Sequence, residues 1–526
     1  MSSINITGEP YKVHGRIVFS DYTYIRTAGF RWNDKDGNNV AVVGDSGPYD
    51  TVFCAHDVPF GFVIKAVAGK RDSKPYTIAP KYAWEKDGIF PGSIVSDPED
   101  GFYKMWATCR AGGILYDCFL QSRDFEEWER PKLGLVNYEG NRDNNLIVAD
   151  GGLGNIFYDS SGKGGKWKWI KESTLTRDEL VKYLSRWDNE WDPKANRFDV
   201  IYDTHVGNPN LLICARGGVS EDGFMWKTLE EPLVVEHTDT IVTAYYDSAI
   251  GKYIGYFRDW STLECDPDCD NSRKGLGWMA GRRSIGRAQT DVFTHFPLSS
   301  LISEPGPELL SPSQTIYTNG HTFFPGTSQH VFMPTVWDQA SDATSIYTVS
   351  STDGINLHWL PGNPILETNS FETYDGGCIF TKGDLLELPN GDWLMPYHSS
   401  NVPHKYPRKG YCEGACGFIS WPKGRMIALN VKEYGQFTTM SLAPDKSHLR
   451  VNADILRGGS LSIEVTDARG VTLPGFSFND CDSMTGDRQW TMMTWKGGDT
   501  ISFEKGSAIM LRFRISYANL FGIEFC

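Results

Sequence analysis

The sequence lacks any apolar run long enough to cross a membrane. Its first residues, MSSINITGEPYKVHG, also lack the basic segment followed by an apolar one that marks a signal peptide. We therefore expect no membrane partner, and a protein that is either intracellular or secreted with its leader removed. Basic residues are the minority, 51 against 66 acidic ones, and the net charge of −15 argues against nucleic acid as a partner.

Helical periodicity and metal-binding motifs are scarce as well. The best helix candidate is the segment 175–184, LTRDELVKYL, with Thr176 as a plausible N-cap. Among the 11 cysteines, the close pairs CDPDC and CEGAC match no zinc-site spacing and have no histidine nearby. They are compatible with disulfides or with reduced thiols. We expect no cofactor and no required metal, although a Ca²⁺ ion in a central channel would be compatible with the sequence.

What the sequence does contain is a repeat. A Ser/Thr-x-Asp turn that leads to an aromatic residue occurs four times, at 122–128, 220–226, 290–296 and 351–359. Each copy follows an alternating apolar segment and precedes a Leu, Val or Ile that restarts a strand. Because an Asp in such a turn usually caps its own backbone, we predict a structural role for these repeated residues.

A second repeated element, a turn followed by an aromatic strand, precedes these turns and occurs five times. Its copies begin at Asp97, Asp192, Asp247, Pro325 and Leu388. Five units of short strands and turns predict an all-β protein with a five-bladed β-propeller. We expect the blades to begin near residues 84, 187, 238, 316 and 371.

The repeat covers only the middle of the chain. Residues 1–75 contain strand-like runs without it, and we predict that they pack on the propeller or on the C-terminal domain. Residues 76–434 are the predicted propeller. From 435 to 526 the pattern changes to longer alternation with period two, which predicts a C-terminal β-sandwich of about 90 residues.

Segments just before each blade are expected to meet at one mouth of a propeller's central channel. Carboxylates recur there, and we predict four catalytic residues: Glu85, Asp188, Asp239 and Asp375. Like charges around one mouth repel, so at least one of these carboxyl groups should have a raised pKa. A protonated carboxyl beside ionised ones is what acid/base catalysis at a glycosidic bond requires.

Aromatic, arginine and histidine residues in or beside the same segments are candidates for substrate binding. An arginine at a mouth holds an acid in place or binds a substrate hydroxyl or carboxylate. The predicted substrate-binding residues are Trp84, Trp187, Arg258, Asp259, Arg287, His321 and Tyr374.

In layout, the chain resembles glycoside hydrolase families 32 and 68, a five-unit propeller followed by a β-sandwich, and its propeller is similar to that of family 43. The resemblance implies three acids from the first three blades, with the roles of nucleophile or base, transition-state stabiliser and proton donor. By position these would be Glu85 (or Asp87), Asp188 and Asp239. The family 32 signature Asn-Asp-Pro-Asn is absent from the start of the first blade.

Two further motifs belong to this resemblance. Arg258-Asp259-Trp260 is similar to the Arg-Asp-Pro of family 32, one blade later in the chain. The chain is also similar to uncharacterised family-32-like proteins, in which the segments around Trp84-Glu85, Asp239-Thr240, Arg258 and Tyr374-Asp375-Gly376 recur. That similarity is what adds Asp375 to the site.

The sequence therefore predicts a glycosidase that cleaves a terminal, furanosidic bond of an oligo- or polysaccharide. Two alternatives stay open. A lyase acting on uronic acids would use a His or Tyr base with an Arg that neutralises the carboxylate, and a sugar-binding propeller would need the aromatic residues but not the acids. A homo-oligomer is compatible with all three.

Overall fold

The computed structural model describes residues 9–27, 29–34, 36, 39–40, 52–149, 152–187, 211–236, 238–260, 282–405, 414–504 and 506–526. Seven short strands come first in the chain: β1 (Tyr11–Val13), β2 (Arg16–Ile17), β3 (Gly29–Asn33), β4 (Asn39–Val40), β5 (Val52–His56), β6 (Val63–Ala66) and β7 (Lys70–Arg71). Strands β3, β4 and β5 form a small sheet of their own. The others pair with strands far along the chain.

Five consecutive sheets then make the blades of a propeller. Blade 1 contains β8 (Ile89–Ser96), β9 (Tyr103–Ala111) and β10 (Ile114–Ser122). Blade 2 contains β11 (Val148–Ala149), β12 (Asn155–Tyr158), β13 (Trp167–Thr176), β14 (Leu211–Ser220) and β15 (Met225–Thr228), with helix α1 (Arg177–Trp187) after β13. Blade 3 contains β16 (Thr243–Asp247), β17 (Lys252–Trp260), β18 (Arg283–Thr290) and β19 (Ser300–Ser303).

The last two blades are built in the same way. Blade 4 contains β20 (Gln314–Phe323), β21 (His330–Asp338), β22 (Ala343–Ile346), β23 (Val349–Ser351), β24 (His358–Trp359) and β25 (Leu366–Glu367). Blade 5 contains β26 (Cys378–Thr381), β27 (Leu386–Glu387), β28 (Trp393–Ser400) and β29 (Gly414–Trp421). Short 3-10 turns lie at Ala83–Glu85 and Pro422–Gly424. The predicted all-β fold with a five-bladed propeller is confirmed.

The repeated turns fasten their blades with one hydrogen-bond pattern. Ser220 Oγ donates to Asp222 Oδ1 at 3.0 Å and accepts from the backbone N–H of Gly223 at 2.9 Å. The same contacts recur at 122–125 and 351–354. The last residue of the pattern has a positive φ, 80° at Gly223, 66° at the glycine of blade 4 and 68° at the phenylalanine of blade 1. The predicted structural role is confirmed for three of the four Asp residues, whereas Asp291 in the copy at 290–296 pairs with Lys252 instead.

The predicted start of blade 2 is wrong. Its innermost strand is β12, which begins at Asn155 rather than near Trp187, and the turn after it is formed by Asp159 and the glycines that follow. Trp187 ends α1, which follows the second strand of the same blade. This helix begins with a capping box, in which Thr176 N–H donates to Glu179 Oε2 at 2.7 Å and Glu179 N–H donates to Thr176 Oγ1 at 3.3 Å. The predicted helix is thus present, inside a blade.

The ring is closed by a strand from the start of the chain. Strand β7 pairs antiparallel with β29 as the outer strand of blade 5, with Arg71 opposite Ile419. The same blade contacts blade 1, because Ile94 N–H donates to Asp384 Oδ2 at 3.4 Å. The ring therefore joins residues that are about 350 positions apart.

Four blades approach one another at Gly383. A Cβ placed on Gly320 of blade 4 would lie 2.6 Å from Gly383 Cα of blade 5. A Cβ placed on Gly383 would lie 3.3 Å from Asn155 Nδ2 of blade 2 and 3.3 Å from Thr243 Cγ2 of blade 3. A side chain at Gly320 would therefore displace Gly383 or its neighbours.

The C-terminal strands are β30 (Ile427–Thr438), β31 (Leu442–Pro444), β32 (Leu449–Asp467), β33 (Gly486–Met492) and β34 (Ile509–Phe525). In the described residues they form one eight-stranded sheet together with β1, β2 and β6. Their buried residues share one apolar core with blades 4 and 5, to which Phe324, Trp393, Ile463 and Phe513 contribute. Among the residues that the structure describes, no helix is long and apolar enough to cross a membrane.

Candidate active site

The mouth of the propeller is defined here as the end of the ring at which the innermost strands begin. Strand pairing shows which side chains reach it. In blade 2, Asn155 at the start of β12 pairs with Ile170, so the next residues of β13, Lys171 and Glu172, extend toward the mouth. In blade 3, Thr243 pairs with Tyr256, so Arg258 lies beyond it in the same direction. Second strands as well as loops therefore supply the site.

A cavity of about 250 Å³ lies on the ring axis, on the mouth side of Gly383. We call it the axial cavity. It is lined by Gly92, Ser93, Gly154, Asn155, Ile170, Lys171, Glu172, Thr240, Ile241, Val242, Lys382 and Asp384. Blades 1, 2, 3 and 5 each contribute to this lining, and its residues include two acids, two lysines, one serine and one threonine.

Glu172 is the carboxyl group that opens most freely into the axial cavity. Its side chain is exposed there, yet the protein around it displaces enough water to raise the pKa of the carboxyl above its ordinary value. The positive charge of Arg258 opposes part of that rise. Glu172 is therefore the kind of carboxyl that keeps a proton longer than an ordinary surface Glu.

Asp384 lies deeper, between blades 5 and 1. Burial raises the pKa of its carboxyl to about 7, against the opposing effects of the Ile94 N–H and the Lys382 charge. Lys382 is held away from it, because its ammonium group donates to the backbone oxygen of Pro91. Burial also lowers the pKa of Lys171, on the opposite wall of the cavity. The cavity therefore holds several groups that titrate outside their usual ranges.

Asp239 and Arg258 form a buried ion pair beside the axial cavity. Their side chains are 7 % and 1 % exposed, and one Arg258 guanidinium nitrogen contacts Asp239 Oδ1. The other terminal nitrogen donates to the backbone oxygen of Tyr317, whose ring centroid lies 4.7 Å from the guanidinium carbon. Burial and the neighbouring Arg283 lower the pKa of Arg258 to about 9, so it stays protonated at neutral pH. The structure thus brings two predicted site residues together.

A recess with a volume of about 10 Å³ lies behind this ion pair, between blades 3 and 4. Thr240 and Ile241 line both the recess and the axial cavity, which makes the two spaces neighbours. The other lining residues are Tyr256, Phe257, Arg258, Ser284, Ile316, Tyr317, Thr318 and Asn319.

Glu85 and Trp84 do not line the axial cavity. Glu85 is fully buried, its Oε1 accepts from Arg130 Nε at 2.9 Å, and its Oε2 accepts from the backbone N–H of Lys81 at 2.8 Å. Trp84 packs in the core of blade 1, and its indole N–H donates to Asn145 Oδ1 at 2.8 Å. Both residues fasten the segment that leads into blade 1.

Asp375 and Tyr374 lie at the closure of the ring. Asp375 Oδ2 accepts from Tyr397 OH at 2.9 Å and lies 3.3 Å from Arg71 of β7, and its Oδ1 accepts from Thr373 Oγ1 at 3.0 Å. The Tyr374 hydroxyl lies 2.7 Å from the Tyr397 hydroxyl. This network joins the closing strand to blade 5 and does not border the axial cavity.

The remaining predicted residues are distributed around blades 2 to 4. Asp259 faces away from its neighbour Arg258 because side chains alternate along β17. It lies near Glu236, whose pKa is raised to about 8 by burial and, to a lesser degree, by the Asp259 charge. Trp187 stacks on His295 with ring centroids 3.6 Å apart, outside the cavity lining.

His321 and Arg287 belong to a cluster between blades 3 and 4. His321 Nε2 lies 2.9 Å from His330 Nδ1, and burial lowers the pKa of His321 well below its ordinary value. The positive charge of Arg287 lowers it further. This cluster is not part of the axial cavity lining. Asp188 lies outside the described residues.

Sequence reasoning missed Glu172, Lys171, Lys382 and Asp384. The prediction covers the segments before each blade. These four residues come instead from the second strand of blade 2 and from the turn after the inner strand of blade 5. A signal for blade 2 was available. Tyr158-Asp159-Ser160-Ser161-Gly162 has the form of the turns at 97–101 and 247–251, and it would have placed β13 as a second strand.

No group of three or more His, Cys, Asp or Glu residues within the described part of the chain is arranged to hold a metal ion. The seven cysteines described there are all free thiols, five of them buried. The described residues of the site offer carboxyl, ammonium, guanidinium, hydroxyl and amide groups.

No family model matches this chain, and no curated protein matches it. Among solved structures it is similar to an N-acetylgalactosamine deacetylase from F. plautii in complex with blood group B trisaccharide, at 11 % identity and a TM-score of 0.40, over 68 % of this chain and 95 % of that one. It is also similar to the Bombyx mori GH32 beta-fructofuranosidase, at 8 % identity and a TM-score of 0.34, over 89 % and 94 %. A third is the catalytic domain of the Coprinopsis cinerea GH62 alpha-L-arabinofuranosidase, at 9 % identity and a TM-score of 0.34, over 69 % and 98 %. Values this low transfer neither a residue role nor a substrate to this chain.

Proposed function

We propose that this protein is a glycoside hydrolase that cleaves a terminal, furanosidic bond in the axial cavity. One observation carries the proposal. Two carboxyl groups, Glu172 and Asp239, both interact with the charge of Arg258 but in different environments. Asp239 is held as an ion-paired carboxylate, whereas the pKa of Glu172 is raised by burial. Glycosidases of both stereochemical outcomes need such a pair.

The roles follow from the environments. Glu172 is the proton donor to the leaving-group oxygen, since burial raises the pKa of its carboxyl and its residue lines the cavity. Asp239 is the carboxylate that either attacks the anomeric carbon or takes a proton from the attacking water. Arg258 holds Asp239 in place and, with Lys171 and Lys382, balances the negative charge of the site.

The size and surroundings of the cavity support action on a chain end. Pockets for drug-sized ligands measure about 300–1,000 Å³, so the axial cavity at about 250 Å³ suits a single small sugar unit. The close approach of Gly320 and Gly383 leaves little room beside the cavity for further sugar units. A five-membered sugar ring is the smaller of the common ring sizes, and this fits the furanosidic preference.

An activity screen tests the proposal. Purified protein would be incubated with a panel of furanosides, pyranosides and uronic-acid oligosaccharides, and each product checked for reducing sugar and for ultraviolet absorbance from a new double bond. We expect reducing sugar from a furanoside without new absorbance. Glu172→Gln should lower kcat by roughly 10²–10⁴, whereas the control Glu126→Gln, at an exposed turn, should not.

The other outcomes separate the alternatives. Unsaturated product from a uronic-acid substrate would replace the hydrolase with a lyase. Sugar binding without turnover, unaffected by Glu172→Gln, would identify a sugar-binding propeller.

A further inference from the structure

Asn319 is a buried polar side chain without an evident structural purpose. It is only 7 % exposed, and within the described part of the chain neither its Oδ1 nor its Nδ2 atom has a hydrogen-bond partner. The great majority of buried polar atoms in proteins are paired, and an unpaired donor and acceptor destabilise the folded state. An amide retained under these conditions points to a ligand that pairs with it.

The position of Asn319 shows where such a ligand would be. Asn319 lines the recess between blades 3 and 4, together with Thr318, whose Oγ1 atom is also buried without a partner among the described residues. Through Thr240 and Ile241 the recess borders the axial cavity. A molecule bound in the cavity would therefore lie next to the recess, where one of its groups would take the place of a water molecule.

Size and polarity define that group. A volume of about 10 Å³ accommodates roughly one water-sized group. A hydroxyl is both donor and acceptor, which matches the donor and acceptor of an amide, whereas a carboxylate only accepts and would face Oδ1 of Asn319 unfavourably. N-acetyl and O-methyl substituents exceed the volume. A single free hydroxyl satisfies both conditions.

We propose that the recess receives one hydroxyl group of the terminal sugar unit, and that Asn319 holds it through both amide atoms and thereby sets sugar specificity. The inference rests on the proposed function, since it assigns a subsite of the same cavity. A site built to pair with a hydroxyl rejects an analogue that lacks it, because its buried polar groups are then left unpaired. Asn319 is thus a specificity-determining residue, in addition to the acid pair.

Monodeoxy analogues of the substrate test this. For the wild type we expect kcat/KM to fall about 100-fold or more when one particular hydroxyl is removed, and to fall little for the others. In Asn319→Ala, we expect kcat/KM for the parent sugar to fall to the value for that deoxy analogue. The ratio of the two kcat/KM values should then lie within about 3-fold of unity. An unchanged ratio in the variant would overturn the inference while leaving the hydrolase function intact.

Binding distinguishes failure of the inference from failure of the proposed function. Calorimetric titration of Glu172→Gln, with and without Asn319→Ala, with the parent sugar and each deoxy analogue measures the same discrimination without turnover. If the difference in affinity between the parent sugar and the deoxy analogue disappears only in the variant with Asn319→Ala, the hydroxyl subsite is supported even if no bond is cleaved. A panel in which nothing binds and nothing is cleaved would overturn both.

A matched pair of variants separates a ligand-binding amide from a structural one. Asn145 is also fully buried, but its Oδ1 accepts from Trp84 Nε1 at 2.8 Å and its Nδ2 donates to the Phe119 backbone oxygen at 2.9 Å. We expect Asn145→Leu to lower the melting temperature by several degrees and Asn319→Leu to leave it unchanged or raise it. If Asn319→Leu destabilises as much as Asn145→Leu, Asn319 is structural and the inference fails.

Discussion

The seam between blades 5 and 1 and the axial cavity both contain buried carboxylate–arginine pairs, but the two regions use them differently. At the seam, both Glu85 oxygens accept hydrogen bonds from Arg130 or a backbone N–H. Asp375, at the strand that closes the ring, receives two hydroxyl donors and lies near Arg71. Neither pair belongs to the residues that line the axial cavity, so we regard each as a fastener.

At the axial cavity, the Asp239–Arg258 pair has the same composition and different surroundings. A second carboxyl with a raised pKa, Glu172, opens into adjacent empty space, and the unpaired amide of Asn319 lies on the other side. Burial of an ion pair therefore does not distinguish the two regions, whereas the cavity beside the pair and the unpaired amide do.

The largest expected difference between the two regions is in turnover. Asp239→Asn keeps the size of the side chain but removes the carboxylate, so we expect kcat per folded molecule to fall by roughly 10²–10⁴. Because Arg258 also loses its charged partner, stability should fall by about 3–5 kcal/mol. Steady-state kinetics on the furanoside found in the screen, with circular dichroism to verify folding, provides the measurement. Retained activity would remove Asp239 from the mechanism and make the two regions alike.

At the seam, only the loss of stability is expected. Glu85→Gln leaves the buried Arg130 without its charged partner, and breaking a buried pair destabilises proteins by about 3–5 kcal/mol. Asp375→Asn should cost less, because its partner Arg71 is 22 % exposed. Urea unfolding should show this loss, while kcat per folded molecule stays within about 2-fold of the wild type. A selective loss of turnover in a fully folded Glu85→Gln variant would return Glu85 to the catalytic residues.

The smallest effect is a pH dependence of stability at the cavity floor. Because the folded-state pKa of Asp384 is raised to about 7, its contribution to stability is fully present below the ordinary aspartate pKa and is lost as the pH rises through about 7. Asp384→Asn should therefore raise the melting temperature relative to the wild type more at pH 8 than at pH 4. An equal difference at both values would show that Asp384 titrates normally.

Much of the scaffold was predictable from the sequence because repeated turns have a local cause. Ser220 and Asp222 bind backbone atoms within three residues, so the same short motif indicates the same turn wherever it occurs. The register of blade 2 is not predictable in the same way, because the motif at Asp192 resembles a first turn, whereas the first turn of this blade lies at Asp159. The single eight-stranded C-terminal sheet was equally hard to foresee, since β1, β2 and β6 reach it from the other end of the chain.

The site was only partly predictable, and the reason is geometric. Asp239 and Arg258 were found because a carboxylate before an inner strand and an arginine at the end of the next strand lie near the mouth. Glu85 and Asp375 have the same type of position in sequence, and only the contacts of their oxygens assign them to the seam. Asn319 carries no sequence signal, because an unpaired amide becomes visible only when its neighbours are known.

Ring closure by β7 has a consequence for biosynthesis. The partner of β7 in blade 5 follows about 350 residues later in the chain, and the partners of β1 and β2 follow later still. At a ribosomal rate of about 5–20 residues per second, β7 waits roughly 20–70 s for its neighbour. During that time β7 itself has no partner and can pair with other nascent chains. Slower translation lengthens this exposure, so co-expressed chaperones should raise the yield of folded protein, most of all in a host that translates slowly.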